Sequence, residues 1–589
     1  MCIHHSRTQE DVLRKQLDSG LALNMLIADC HCSCTGLRLM ADWPVPEGLE
    51  GGTGLLRVQA TWARASNSAC PQYQAARARP GLWPARRAPR SQPGLTHFSL
   101  DPVMTLLDLV EHDGLTLEQA LTQVRDGRTE IRPHEGLLRW GAHGAARYLS
   151  AGSAVGAGSG WAAVPVSRPW VMQVKPPDGG TIYELCAWGR RYESADGEER
   201  ELRLPRVKSV KDRAVDLGEA AAAAMVLAYG AVALNQSRSG KPHNLREAQP
   251  VRSIRVVEVG CEDGSWQEMF SGSPQKARRY YDEHAKARLS AVTAGGEYRP
   301  GDDCAGCKLA GTCPALPSRP GMLGIIGTGP VRTWSVTNGR HYEACPAQDY
   351  LERLHLPPGP RTEPNSAVRR GQAVHAWLAS RHERPGAAPC SAEDVPDSPD
   401  AWLAGGWEVT GEEARLGVQM IGDHSLTCAL EDLPPGAAVL PEHRLMVYDP
   451  DARVLVIAKA DLLYEADGAW TLRETKTTRR VSEGSLLDRY PQTALGILLL
   501  AAGVPGGSRG SNRVQLERLT PAGPLLDELD PADADVHAEA LRVIGDMVGR
   551  WRNDGTAVTV PGPACRDCEA SRWCPDAAAE AQEEGDFDD

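Results

Sequence analysis

The sequence predicts an α/β fold built twice in one chain, each half a mixed central sheet with helices on its faces. Three observations predict it. Short runs of alternating apolar residues, bounded by turn signals, give way to helical segments, which is the pattern of strands covered by helices. A cysteine motif is written twice, as Cys304-x2-Cys307-x5-Cys313-Pro and as Cys565-x2-Cys568-x5-Cys574-Pro. Each copy has a lone Cys-Pro pair at a similar distance upstream, beginning at Cys70 and Cys345.

A chain of 589 residues exceeds what one core supports, and 42% hydrophobic with 24% charged residues is ordinary globular composition. No apolar run reaches membrane-spanning length and the start lacks a signal-peptide pattern, so no membrane contact and a cytoplasmic location are expected. The net charge of -13 argues against coating nucleic acid with the whole surface, while leaving room for a local basic channel. Arg340, Arg353, Arg361, Arg369 and Arg370 gather in one stretch, with solvated helix faces as the plain alternative. Sixteen cysteines in a cytoplasmic setting point to metal or cluster ligation before disulfides.

In chain order, residues 1–45 are an unassigned extension. Their Cys30, Cys32 and Cys34 lack a fourth partner and make a poor closed zinc site, so the stretch reads as lying upstream of a start near Met40. Residues 46–320 form the first half: a strand in GLLRVQATW, a Pro/Arg-rich loop, a helix in DPVMTLLDLVEH, strands in WVMQVKPP and TIYELCAWGRRYES, and an alanine-rich helix in EAAAAAMVLAYG. The Pro/Gly-rich PALPSRPGMLGIIGTGP reads as an interdomain linker. Residues 331–575 form the second half, with a helix in AVRRGQAVHAWLASR, a surface insertion at 386–410, a strand opened by Glu442, a hairpin, a helix around Gln492, a strand in RVQLERLT and a last helix in HAEALRVIGDMVGRW. Residues 576–589 are an acidic tail expected to be disordered.

The hairpin is the informative element. Asp467-Gly468 is a two-residue turn signal between VLVIAKADLLYEA and AWTLRETKTT. Counting outward pairs Ala466 with Ala469 and Glu465 with Trp470, and sets Asp461 opposite Glu474, with Lys476 on the same face. Opposed side chains lie about 5 Å apart, and two like charges there repel. A divalent, oxygen-preferring cation such as Mg2+ or Mn2+ would reconcile them, with the Thr475 carbonyl as a further ligand.

Asp461, then Glu474-x-Lys476, preceded by Gly371-x3-His375 and followed by Tyr490-Pro-Gln492, resembles the PD-(D/E)XK nuclease pattern in its RecB- or AddB-like exonuclease branch. The resemblance implies two tandem restriction-endonuclease-like domains and a metal-dependent deoxyribonuclease acting in DNA repair, recombination or antiphage defence. By the same resemblance Asp461, Glu474 and Lys476 are catalytic, His375 is an additional metal ligand, and Gln492 contacts phosphate or positions the lysine. The family's tyrosine four residues after the glutamine is absent, since position 496 is glycine. Cys345, Cys565, Cys568 and Cys574 resemble the staple that holds a [4Fe-4S] cluster, and Cys70, Cys304, Cys307 and Cys313 would do the same in the first half. Ligand chemistry alone allows zinc at either quartet.

Aligning RYESADG with LYEADG puts Gly189 at the position of Asp461, and a looser match puts Arg206 at that of Glu474 and retains Lys208. The first half is therefore expected to be a degenerate copy that does not cut. Cys2, Cys186, Cys261, Cys390 and Cys428 show no pattern and are expected to be buried or incidental thiols. The chain has no G-x-x-x-x-G-K-[ST] loop, so a helicase or ATPase partner would be a separate subunit. The alternative function is a noncatalytic nucleic-acid-binding scaffold.

Overall fold

The computed structural model describes residues 43–577, except 86–93, 159, 236–239, 360–364, 385–388, 435, 482 and 507–509. The expectations for Cys2, Cys30, Cys32, Cys34 and Arg361, and for the tail beyond residue 577, lie outside the described residues.

The first half contains strands β1 (Leu49–Gly51), β2 (Leu55–Gln59), β3 (Leu82–Pro84), β4 (Val164–Val166), β5 (Trp170–Val174), β6 (Ile182–Cys186), β7 (Arg190–Glu193), β8 (Glu199–Arg206), β9 (Ala231–Val232), β10 (Ser253–Gly260) and β11 (Trp266–Gly272). β1 and β3 form a small ribbon. The others make two sheets, ordered β2-β6-β5-β9 and β11-β10-β8-β7-β4. Helices α1 (Glu135–Ala157) and α2 (Leu217–Tyr229) are the principal helices of this half. The alanines of α2 are buried all round, because short side chains let the helix lie close among β5, β8, β10 and the helix that follows β11.

The second half contains β12 (Arg332–Trp334), β13 (Ala401–Ala404), β14 (Trp407–Thr410), β15 (Val439–Asp449), β16 (Val454–Ala466), β17 (Ala469–Thr477), β18 (Arg513–Thr520) and β19 (Gly523–Leu529). Its helices include α3 (Val336–Ala344), α4 (Ser366–His382), α5 (Gly411–His424), α6 (Pro491–Ala501) and α7 (Ala534–Asn553). The main sheet runs β12-β16-β17-β18-β19, with β15 also paired to β16. Leu495, Ile497, Leu498 and Leu500 of α6 are buried in one core with Leu472 and Val514 of the sheet and Val543, Ile544 and Met547 of α7. This is the mixed α/β architecture expected from the sequence.

The hairpin has the expected register, Ala466 to Ala469 and Glu465 to Trp470. Asp467 and Gly468 both take positive φ, 52° and 79°, the left-handed pair a tight primed turn requires. The β16–β17 ladder ends at Leu462–Arg473, one pair short of the two acids. At its other end β16 pairs in parallel with β12 through residues 454–456. The edge of β16 that switches from β12 to β17 is thus free of ladder pairs at 457–461. Asp461 sits in that fork.

The two halves share one order of joins. β2 lies parallel on β6 as β12 does on β16. β5 and β4 run antiparallel to β6 and β7 as β15 does to β16. β7–β8 is an antiparallel hairpin like β16–β17, and β8 is parallel to β10 as β17 is to β18, with α2 and α6 as the crossovers. In the first half the strand corresponding to β16 is broken at residues 187–189, which corrects the single strand expected over TIYELCAWGRRYES.

Two further expectations change. The insertion at 386–410 is not all surface loop: β13 and β14 pair as a hairpin, and Trp402 and Val409 are buried against α4 and α5. The linker is packed down, with Met322 and Leu323 in the core of the second half and the Leu323 amide donating to Asp449 at 2.9 Å.

Candidate active site and metal groups

His375 and Asp461 come from different elements. α4 begins at an Asn365 cap that accepts from the Val368 amide at 2.9 Å, and it crosses the fork so that His375 Nδ1 is 3.3 Å from Asp461 Oδ1. The other Asp461 oxygen accepts the Thr475 amide at 2.8 Å, which takes the place of a ladder bond where β16 and β17 part. Lys476 Nζ lies 3.0 Å from Glu474 Oε2 and 3.4 Å from Asp461 Oδ2. The face counted from the turn is therefore real, and Lys476 bridges its two acids.

The environment splits the two carboxyls. Burial, with the Asp461 charge beside it, pushes Glu474 up to about 7. Asp461 is held far below the usual carboxylate range: burial opposes ionisation, but His375, Lys476 and the Thr475 amide outweigh it. Burial would lower His375, and the Asp461 carboxylate more than reverses this. A cation bound among these groups would displace the proton or the ammonium that now balances them.

Sequence reasoning missed Glu442 as a member of the site. Ligand atoms of His375, Glu442 and Asp461 all lie within 4.8 Å of one another, and the three residues line one small cavity with Thr475. The β15–β16 pairs Pro441–Leu462 and His443–Ala460 bracket Glu442 and Asp461 and set them across from each other. Glu442 takes φ 53°, a left-handed conformation uncommon for glutamate and of the kind that gathers at functional sites. Counting inward from the turn after Asp449 would have found it.

Gln492 stands at the start of α6, and its Oε1 is buried without a hydrogen-bond partner among the described residues. Such an atom is open to an incoming donor. Thr475 spends its amide on Asp461 and its hydroxyl on Glu517, at 2.9 Å. The expected arginine cluster disperses: Arg370 is buried against Glu413, and Arg353 pairs with Asp349 at 2.8 Å.

Both cysteine quartets converge. Cys345, Cys565, Cys568 and Cys574 line one cavity, and Cys70, Cys304, Cys307 and Cys313 line another. Backbone amides donate to the sulfurs of Cys345, Cys70, Cys304 and Cys307 at 3.3 to 3.4 Å. A third group gives Cys390 and Cys428, expected as buried or incidental thiols, a place among possible metal ligands. With His382 and His424 they bring their ligand atoms within 4.8 Å of one another. His424-x3-Cys428 was the readable signal.

In the first half the register corrects the alignment. The last β7–β8 pair is Arg190–Arg203, so Gly189 faces Leu204 as Asp461 faces Glu474. Leu204 and Pro205 thus stand where Glu474 and Thr475 stand, and Arg206 where Lys476 stands. Arg206 is locked in buried ion pairs with Glu219 and Glu258 at 2.7 and 2.8 Å, and Lys208 is exposed past the strand end.

The family model of the PD-(D/E)XK nuclease superfamily matches residues 333–575. This segment is a PD-(D/E)XK nuclease superfamily domain. No curated protein matches the chain. Among solved structures, similarity reaches SSO0001, with 18% identity and a TM-score of 0.16 over 23% of this chain, which spans 60% of that one. It also reaches a candidate exonuclease from Eubacterium rectale, with 12% identity and a TM-score of 0.26 over 39% of this chain and 86% of that one. The fork, the His375 helix and the group of His382, Cys390, His424 and Cys428 fall inside the matched segment. No helix among the described residues is long and apolar enough to cross a membrane.

Proposed function

We propose that the PD-(D/E)XK domain is a divalent-metal-dependent deoxyribonuclease, acting as an exonuclease in DNA repair, recombination or defence, with the first half as its noncutting DNA-binding copy. The observation that carries this is the convergence of His375, Glu442, Asp461, Glu474 and Lys476 at the sheet fork. The donor set fits Mg2+ or Mn2+: it is mostly carboxylate oxygen, with one imidazole, and Thr475 can add its carbonyl. Bound there, the ion would supply Lewis-acid stabilisation of the phosphoryl oxygens and an acidified water.

The chain's own groups do the rest. Asp461, ionised at neutral pH, is fixed in orientation by the Thr475 amide. Lys476 sits between the acids, where its ammonium can orient water or offset charge building on the phosphoryl group. Gln492 offers its Oε1, unpartnered among the described residues, at the start of α6 as a lysine- or water-positioning group. Copy status for the first half is supported by its matching order of joins and by the loss of both acids. The quartets are proposed to hold [4Fe-4S] clusters. Each cavity gathers four cysteines, and the repeated x2, x5 spacing with a distant fourth cysteine supports the cluster over zinc.

The test is Mn2+-dependent release of label from end-labelled single- and double-stranded DNA by anaerobically prepared protein. Wild type should degrade DNA, and Asp461→Ala should lose at least about a thousandfold while still binding it. A wild type that binds DNA but never cuts, with iron in both cavities, would leave the scaffold reading.

A further inference from the structure

We infer that His382, Cys390, His424 and Cys428 form a structural zinc site that fastens the active-site helix to the sheet. His382 Nε2 and His424 Nε2 face each other at 3.3 Å, and Cys390 Sγ is 3.5 Å from His382 Nε2. Zinc at its usual bond lengths, about 2.0–2.1 Å to nitrogen and 2.3 Å to sulfur, sets tetrahedral ligands roughly 3.3 Å apart for N and N and roughly 3.5 Å for N and S. These two separations match two edges of that figure, and all four ligand atoms lie within 4.8 Å of one another.

The surroundings are those of a ligand shell. His424 Nδ1 donates to Glu517 at 2.7 Å, the carboxylate partner typical of a ligating imidazole, and turns Nε2 toward the second imidazole. The Cys390 amide donates to Cys428 Sγ at 3.3 Å, as to a thiolate. His382, His424 and Cys428 are buried, and four protein ligands with no open position describe a structural site and not a catalytic one. The S2N2 donor set favours zinc over the oxygen-seeking ions of the fork.

The placement gives the ion a task. His382 ends α4, two turns after His375, and His424 ends α5, so the ion would tie both helix ends together. Glu517 on β18 accepts from His424 and also from the Thr475 hydroxyl, and the Thr475 amide holds Asp461. The site therefore braces, from behind, the two residues that meet at 3.3 Å in the fork.

Zinc K-edge absorption and zinc content of the intact protein after dialysis against chelator test this, since neither readout depends on nuclease activity or on iron. We expect one tightly held zinc with two sulfur and two nitrogen neighbours, retained in Asp461→Ala and lost in Cys390→Ser/Cys428→Ser. Cys428→His, which replaces one ligand by another, should retain it with one sulfur and three nitrogens. Should the double variant fail to fold, the coordination numbers of wild type still decide. No zinc in wild type, zinc with four sulfurs, which would place it at a quartet, or a Cys390–Cys428 disulfide in peptide mapping would each overturn the inference.

Discussion

Glu474 and Asp461 are neighbours with opposite fates, and the difference can be titrated. The carboxyl of Glu474 is pushed up from 4.5 to about 7, so a proton competes with any cation for it. Affinity for Mn2+ should be full above pH 7 and fall by about tenfold per unit below it. The sign for the metal-free fold is the reverse of the usual carboxylate: between pH 4.5 and 7 the native state holds the proton that the unfolded state has lost, so stability declines as pH rises through that window. Calorimetric Mn2+ titrations from pH 5.5 to 8.5 check the first statement, and a flat affinity would contradict it. Lys476→Ala should lower kcat by roughly a hundred- to a thousandfold with DNA binding nearly unchanged, the size of effect expected for one preorganised charge donor. At this scale the sequence was half legible. Asp461, Glu474 and Lys476 could be counted from the Asp467-Gly468 turn, which has one geometry. Glu442 could have been counted from the looser turn between Asp449 and Val454, but that turn lacks a two-residue signature, and His382 and Cys390 are joined only by tertiary packing.

β16 organises its half because it changes partners along its length, from β12 at 454–456 to β17 at 462–466, with β15 on its other side throughout. The fork is the gap between those partners, and the hairpin turn sets which residue falls in it. Gly468 sits at φ 79° with nothing within 4 Å of where a Cβ would go. Gly468→Ala should therefore cost about 1 kcal/mol through backbone conformation alone. Denaturant unfolding measures it, and a loss above roughly 3 kcal/mol would mean that the turn's chain path carries more than its φ. Alternation and turn signals made β16, β17 and β18 legible, since half-buried strands write a period of two. The break at residues 187–189 was not, because residues on either side keep the strand alternation. The β13–β14 hairpin was hidden by its Pro- and Gly-rich flanks, although Trp402 and Val409 are core residues.

Across the whole molecule, the segment that ends the second half is one of the places where the two halves meet. Trp573, between Cys568 and Cys574, is buried against Trp140 of α1, ring centroids 5.1 Å apart and edge to face. Arg139 donates to the Cys574 carbonyl at 3.0 Å, and Ser99 to the Leu354 carbonyl at 2.5 Å. The sequence showed the cysteine spacing but not this seat, because nothing local tells a tryptophan in a cysteine loop which distant helix it meets. The first half thus supports the second half's cysteine cavity without supplying a thiol to it. Removing the indole on the far side is the informative cut: Trp140→Ala leaves every cysteine intact and should cost about 3–5 kcal/mol for a fully buried tryptophan. With its seat emptied, the 565–574 segment should open more often, and the iron proposed for Cys345, Cys565, Cys568 and Cys574 should pass to a chelator faster than in wild type. The iron proposed at Cys70, Cys304, Cys307 and Cys313 should leave at the wild-type rate, since Trp140 stacks on Trp573 of the other quartet's segment. Variants lacking one quartet or the other separate the two rates. Equal acceleration at both would mean that Trp140 stabilises the fold at large, and no acceleration at either would mean that the second half keeps its cavity closed without help from the first.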